Sequence, residues 1–127
     1  MEPGIKGYSE TIVSKENCAF TVGSGALNVF STPSMIALIE KAAADSVTPY
    51  LEEGQQSVGT YLDVSHLAST PIGQKVWAET ELTEIDRRML TFKVTAYSEV
   101  EKIGEGTHKR CIIDIQRFLE KMNQRYT

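Results

Sequence analysis

The feature that most limits the fold is a change of period partway along the chain. Residues 31–49, STPSMIALIEKAAADSVTP, carry apolar side chains at helical spacing, whereas four later segments alternate with a period of two. These segments are 57–68, 74–85, 89–100 and 107–119, and their separators are STPIG, DRR and EKIGEG. Parallel strands need a crossover of a dozen or more residues, so such separators point to antiparallel neighbours. The expectation is an α+β fold in which one long helix is followed by a four-stranded meander. Residues 9–22, with Thr11, Val13, Phe20 and Val22 among polar neighbours, read as one or two further extended pieces, broken by GSG at 23–25. A lone helix covers only part of such a sheet. The remaining apolar face and the edge strands therefore predict self-association, as a homodimer or a tetramer.

No repeat, linker or low-complexity tract divides the 127 residues, so the expectation is one domain, 1–127. A chain of this length buries roughly two thirds of its unfolded surface, enough for a true core. With 41% apolar and 24% charged residues it has an ordinary globular composition. It shows no apolar run of membrane-spanning length and no signal-peptide pattern at MEPGIKGYSE, which predicts a cytoplasmic protein without a membrane partner. A net charge of −4 argues against nucleic acid as a partner. Cys18 and Cys111 lack metal-ligand spacing and read as thiols, and no metal site is expected. Gly-rich phosphate loops, HExxH and GxSxG are absent.

Within the helix, Thr32 suits the N-cap and Pro33 the first helical position. At about 100° per residue, Ile36, Glu40, Ala43, Val47, Tyr50 and Leu51 share a sector roughly 100° wide, which puts Glu40 in the apolar stripe. A carboxylate there needs a partner on the facing surface. Alternation in SVGTYLDVSHLA groups Val58, Thr60, Leu62, Val64, His66 and Ala68 on the more apolar face, so His66 is expected to look toward Glu40. The pair outlines general acid/base chemistry, and a buried pair that serves only packing is the alternative.

Three stretches carry a family resemblance: VFSTPSMIALIEKAA, SVGTYLDVSHLASTPIGQKVWAETELTEID and IGEGTHKRCIID. The sequence resembles the hotdog-fold acyl-CoA thioesterases, and among them the fluoroacetyl-CoA thioesterase type. That resemblance implies a sheet wrapped around one central helix, subunits paired through a continuous sheet, and hydrolysis of an acyl-CoA thioester to a carboxylic acid and CoA. It implies no cofactor, CoA being part of the substrate. Thr32, Glu40 and His66 match the catalytic threonine, glutamate and histidine of the family, and Gly59 matches the glycine beside the thioester carbonyl. The match of IGEGTHKR offers Arg110 for the CoA phosphates. The simpler reading of that segment is a hairpin with Gly104 and Gly106 in the turn and Lys102, His108, Lys109 and Arg110 on a solvated face. The family's aromatic gate before the helix is missing from VGSGALN, which has Gly23 and Ala26 instead; the resemblance therefore implies a wider acyl pocket rather than fluoroacetyl specificity. A hotdog hydratase or dehydratase and a non-catalytic acyl-CoA-binding module are the competing readings.

Overall fold

Ser31, rather than Thr32, caps the central helix. In the computed structural model, which describes residues 1–127, the Ser31 backbone is extended and its Oγ accepts from the Ser34 N–H at 3.1 Å. Thr32 is thereby the first helical residue and Pro33 follows in the first turn, where the missing N–H has no intrahelical partner. Short strand β1 spans Lys6–Ile12, a one-turn helix α1 spans Ala19–Val22, and the central helix α2 spans Thr32–Val47. A 3-10 turn, Thr48–Tyr50, ends it. The extended reading of residues 9–22 thus holds only to Ile12. Asn17 turns the chain there, its Oδ1 accepting from Ser14 N at 2.8 Å and its Nδ2 donating to Ile12 O at 3.0 Å.

The buried side chains of α2 are Met35, Leu38, Ile39, Ala42, Ala43 and Val47. This stripe is rotated from the expected one, leaving Ile36 and Glu40 on its margin and Tyr50 exposed. Close approach on the alanine side explains the rotation. A Cβ at Gly7 of β1 would collide with Ala42 O and Thr80 Oγ1, so the bare glycine lets the strand lie directly on the helix.

The remaining elements are β2 (Gln55–His66), β3 (Lys75–Asp86), β4 (Met89–Ser98), β5 (Lys102–Asp114) and helix α3 (Ile115–Arg125). They form one antiparallel sheet in the order β1-β3-β4-β5-β2. Only β3-β4-β5 is a meander. β2 pairs with β5 at the far edge, because the segment after it crosses beneath the start of α2 instead of turning back. Phe30 N donates to Thr70 O at 2.9 Å and Val29 bridges Pro71, fastening that crossing to the residues before the helix. Inward residues such as Val76, Leu82, Phe92 and Ala96 bury against α2. The outer face is polar, with Glu79, Lys93 and Glu105 exposed, and needs no cover. Exposed apolar side chains gather along the β2 edge at Tyr61 and Leu62 and just past its end at Leu67.

Two boundaries differ from the alternation pattern. β5 stops at Asp114, and the apolar residues beyond it, Ile115, Phe118, Leu119 and Met122, follow helical spacing in α3. The β4–β5 turn lies at residues 99–101, closed by Ser98 N donating to Glu101 O at 2.9 Å. Gly104 and Gly106 are therefore strand residues: a Cβ at Gly104 would lie 2.7 Å from Met35 Sδ, and one at Gly106 would strike Asp63 O. No helix is long and apolar enough to cross a membrane.

Candidate active site

A one-residue bulge in β2 decides which side chains reach α2. Gly59 pairs with Arg110 and Tyr61 with Lys109, so Thr60 is the extra residue, and its Oγ1 donates to Lys109 O at 3.2 Å. A bulge reverses the facing of the strand across it. Before it, Ser57 and Gly59 look toward α2; after it, Val64 and His66 do. The uninterrupted alternation expected for this strand is wrong for Val58 and Thr60 and right for His66.

The side chains meet in two groups. Thr32 Oγ1 lies 2.7 Å from His66 Nδ1, joining the first turn of α2 to the end of β2. Burial holds the His66 pKa below its ordinary value of 6.5, which favours the neutral ring. Its Nε2 is buried with no hydrogen-bond partner. If the Thr32 hydroxyl donates to Nδ1, Nε2 carries a proton it can give to a carbonyl oxygen; in the other tautomer Nε2 is a free base. Such an orphaned atom is what a bound substrate or water would satisfy.

Glu40 forms the second group. Thr32 and Glu40 are a little over two turns of α2 apart, about 80° around the helix and about 12 Å in rise. The Glu40 side chain is 39% exposed, half-buried instead of lying in the centre of the stripe. Its Oε2 stands 3.8 Å from Arg110 Nη1, and a Cβ at Gly59 would come within 2.7 Å of the same oxygen. The structure thus brings Thr32 to His66 and Glu40 to Gly59 and Arg110, and gives no hydrogen bond between Glu40 and His66. Replacing Gly59 by alanine should push the carboxylate aside and cut turnover by on the order of 100-fold with the fold intact. Steady-state kinetics beside a thermal melt check this; wild-type turnover in the variant would detach Gly59 from the site.

Arg110 is not on a solvated face. It is 7% exposed, with Nε donating to Ser57 Oγ at 2.7 Å and Nη2 to Ser57 O at 2.8 Å. Burial lowers its pKa and the Glu40 carboxylate opposes that shift; a guanidinium remains charged. Beside it lies His108, fully buried, which sequence reasoning put in solvent. The available signal was alternation: Gly104, Gly106, His108 and Arg110 fall on one face of β5, the face toward α2. Lys102 and Lys109 point elsewhere, the former to Glu105 and the latter over the Tyr61 ring.

Burial is also the largest cause that lowers the His108 pKa, and the Arg110 charge adds to it. Both imidazoles therefore bind protons more weakly folded than unfolded. Their contribution is intact above about pH 6.5 and is lost as pH falls from there through the depressed folded-state values, because the unfolded chain takes up protons first. Thermal midpoints measured from about pH 8 to 5 should fall on acidification; a rise would contradict this. No group of three or more His, Cys, Asp or Glu side chains is assembled to hold a metal, and Cys18 and Cys111 are free thiols.

The family model of the fluoroacetyl-CoA-specific thioesterases matches residues 13–116. The chain belongs to this family. A fluoroacetyl-CoA thioesterase from Streptantibioticus cattleyicolor is 40% identical over 97 residues, covering 76% of this chain and 70% of the relative. The crystal structure of a single-alanine variant of the fluoroacetyl-CoA-specific thioesterase superposes with a TM-score of 0.92 at 33% identity, covering 98% of this chain and 97% of that one. A hot-dog-like protein from Thermanaerovibrio acidaminovorans matches in fold, with a TM-score of 0.91 at 20% identity over 100% of this chain and 94% of that one. The curled antiparallel sheet around α2 is a hotdog fold, and the thioesterase family to which the chain belongs makes it a thioester hydrolase.

Proposed function

We propose that the site formed by Thr32, Glu40, Gly59 and His66 hydrolyses an acyl-CoA thioester to a carboxylic acid and free CoA. The observation that carries the reading is a histidine hydrogen-bonded to a threonine at the start of α2 with its far nitrogen unsatisfied, and a half-exposed carboxylate about two turns further along the same helix. A thioester needs an attacking oxygen and a donor for the developing oxyanion. Glu40 supplies the first: it attacks the carbonyl so that the C–S bond breaks, CoA leaves as the thiolate and water then opens the anhydride, or it draws a proton from a water that attacks the carbonyl and displaces CoA. The second comes from His66 Nε2–H, oriented by Thr32; because about 12 Å of helix rise separates Thr32 from Glu40 in one chain, Glu40 and His66 meet one carbonyl across the seam of a homodimer. Gly59, lacking a side chain, leaves its backbone approachable by the acyl carbonyl.

Arg110, committed inside the protein, serves the Glu40 carboxylate rather than the CoA phosphates. Charge for those phosphates comes instead from Arg88, Arg117 and Lys121, which line a cavity of about 370 Å³ where β5 meets α3. Arg117 and Lys121 have no ion-pair partner. The segment before α2 has glycine and alanine at Gly23 and Ala26, with Phe20 and Leu27 exposed nearby, which suits acyl groups larger than fluoroacetyl. The twelve-residue β2 edge, with Tyr61 and Leu62 exposed on it and Leu67 just past its end, supports a homodimer joined edge to edge.

Incubation with short, branched and aryl acyl-CoAs, with both thiol release and product identity followed, tests the reading. Thiol and free acid are expected. Conversion of an enoyl-CoA to its hydroxyacyl-CoA without thiol release would favour the hydratase reading, and binding without any product would favour an acyl-CoA-binding module.

A further inference from the structure

His108 is fully buried, stacks on Phe92 with ring centroids 6.2 Å apart, and takes no part in the chemistry proposed above. Its two nitrogens have unlike neighbours. Nδ1 lies 2.9 Å from the Tyr61 carbonyl oxygen, just past the β2 bulge, and Nε2 lies 3.3 Å from Arg110 Nη1. A carbonyl oxygen only accepts and a guanidinium only donates, so both contacts demand the same neutral tautomer, with the proton on Nδ1 and a bare Nε2. Burial and the adjacent Arg110 charge, which both disfavour the imidazolium, agree with that form.

Three of the five guanidinium hydrogens of Arg110 are then engaged. Ser57 takes Nε and Nη2, and His108 takes Nη1. What is left is an ion pair with Glu40 at 3.8 Å, too long for a hydrogen bond. The distance has a chemical consequence: the carboxylate keeps a compensating charge nearby while its oxygen lone pairs stay free. Nη1 carries a second hydrogen, and what keeps it short of Glu40 is the orientation of the guanidinium, anchored by Ser57 on one side and His108 on the other. Without the His108 acceptor the group is free to turn onto the carboxylate, where direct hydrogen bonding would tie up the oxygens that must attack the thioester or deprotonate water.

We propose that His108 is a positioning residue: its bare Nε2 accepts one Nη1 hydrogen of Arg110 and so orients the guanidinium that it stays paired with, but not hydrogen-bonded to, the Glu40 carboxylate. This rests on the reading of Glu40 as the acting carboxylate. The groups facing the imidazole are Arg110 from β5, Glu40 from α2, the Tyr61 carbonyl from β2 and the Phe92 ring from β4.

Two substitutions separate positioning from packing. Leucine fills the site but accepts nothing, whereas the side-chain carbonyl of glutamine restores an acceptor. H108L should lose kcat on the order of 100-fold with KM little changed, and H108Q should recover most of that loss. A purely structural role predicts the reverse order, since an apolar residue suits a buried site better than an amide. An H108L variant with wild-type kcat, or an H108Q variant no better than H108L, overturns the proposal. Nitrogen-15 NMR of the wild-type imidazoles stands independently of turnover and of any variant's folding. It should show His108 neutral at pH 7 with its proton on Nδ1; a proton on Nε2, or an imidazolium, overturns the proposal. If the wild type cleaves no acyl-CoA, the functional reading falls while the NMR result still decides the hydrogen-bond assignment.

Discussion

Glu40→Gln should lower acyl-CoA hydrolysis by roughly 10³-fold while leaving the affinity for the thioester nearly unchanged. The amide keeps the shape of the carboxylate but neither attacks a carbonyl nor takes a proton from water. The half-exposed position of Glu40 makes the comparison clean, because the substituted amide still reaches solvent and leaves no unsolvated group behind. Arg110 loses its counter-charge in this variant but keeps its Ser57 and His108 hydrogen bonds, so the fold should persist. Steady-state kinetics together with calorimetric titration of the intact thioester give both quantities. Turnover at the wild-type rate would remove Glu40 from the mechanism, and loss of binding in step with turnover would make it a binding residue instead.

His66→Ala should be nearly as damaging. It removes the buried nitrogen that has no hydrogen-bond partner in the protein, and in the proposed mechanism a lost oxyanion donor costs about 10²–10³-fold in kcat. Thr32→Val and Thr32→Ser grade the same interaction. Valine removes the partner of Nδ1 and should lose activity with His66 present, whereas serine keeps a hydroxyl near the 2.7 Å contact and should stay close to wild type. The helix itself should tolerate all of these, since its cap is Ser31 and not Thr32. If the His66→Ala protein turned over as fast as the parent, the imidazole would be a packing group.

What could be read from the chain follows from which interactions are local. The helix was legible because Ser31, Thr32 and Pro33 mark its start and its apolar spacing runs unbroken, and Glu40 stood out as a carboxylate near that stripe. Strand positions were legible from alternation. Strand order was not: β2 joins β5 and not β3 through hydrogen bonds between residues about fifty positions apart, which no local pattern encodes. The bulge at Thr60 was equally silent, yet it turns Gly59 and Ser57 inward and so builds the Arg110 cradle. On β5 the polar character of His108 and Arg110 imitated a solvated face, although they share alternation with Gly104 and Gly106. IIDIQRFL is apolar enough to suit either a strand or a helix, and only tertiary context ends the strand at Asp114.

In the proposed mechanism water breaks the thioester bond at Glu40 and His66. The most direct test is a single turnover of an acyl-CoA by excess protein in ¹⁸O-water, with mass spectrometry of the acid, the CoA and the peptide containing Glu40. One free CoA per substrate is expected, with the label either in the released acid, where Glu40 activates water, or in the Glu40 carboxylate, where water opens an anhydride at that carbon. Recovery of the acyl-CoA intact, or release of CoA undiminished in the Glu40→Gln protein, would contradict it.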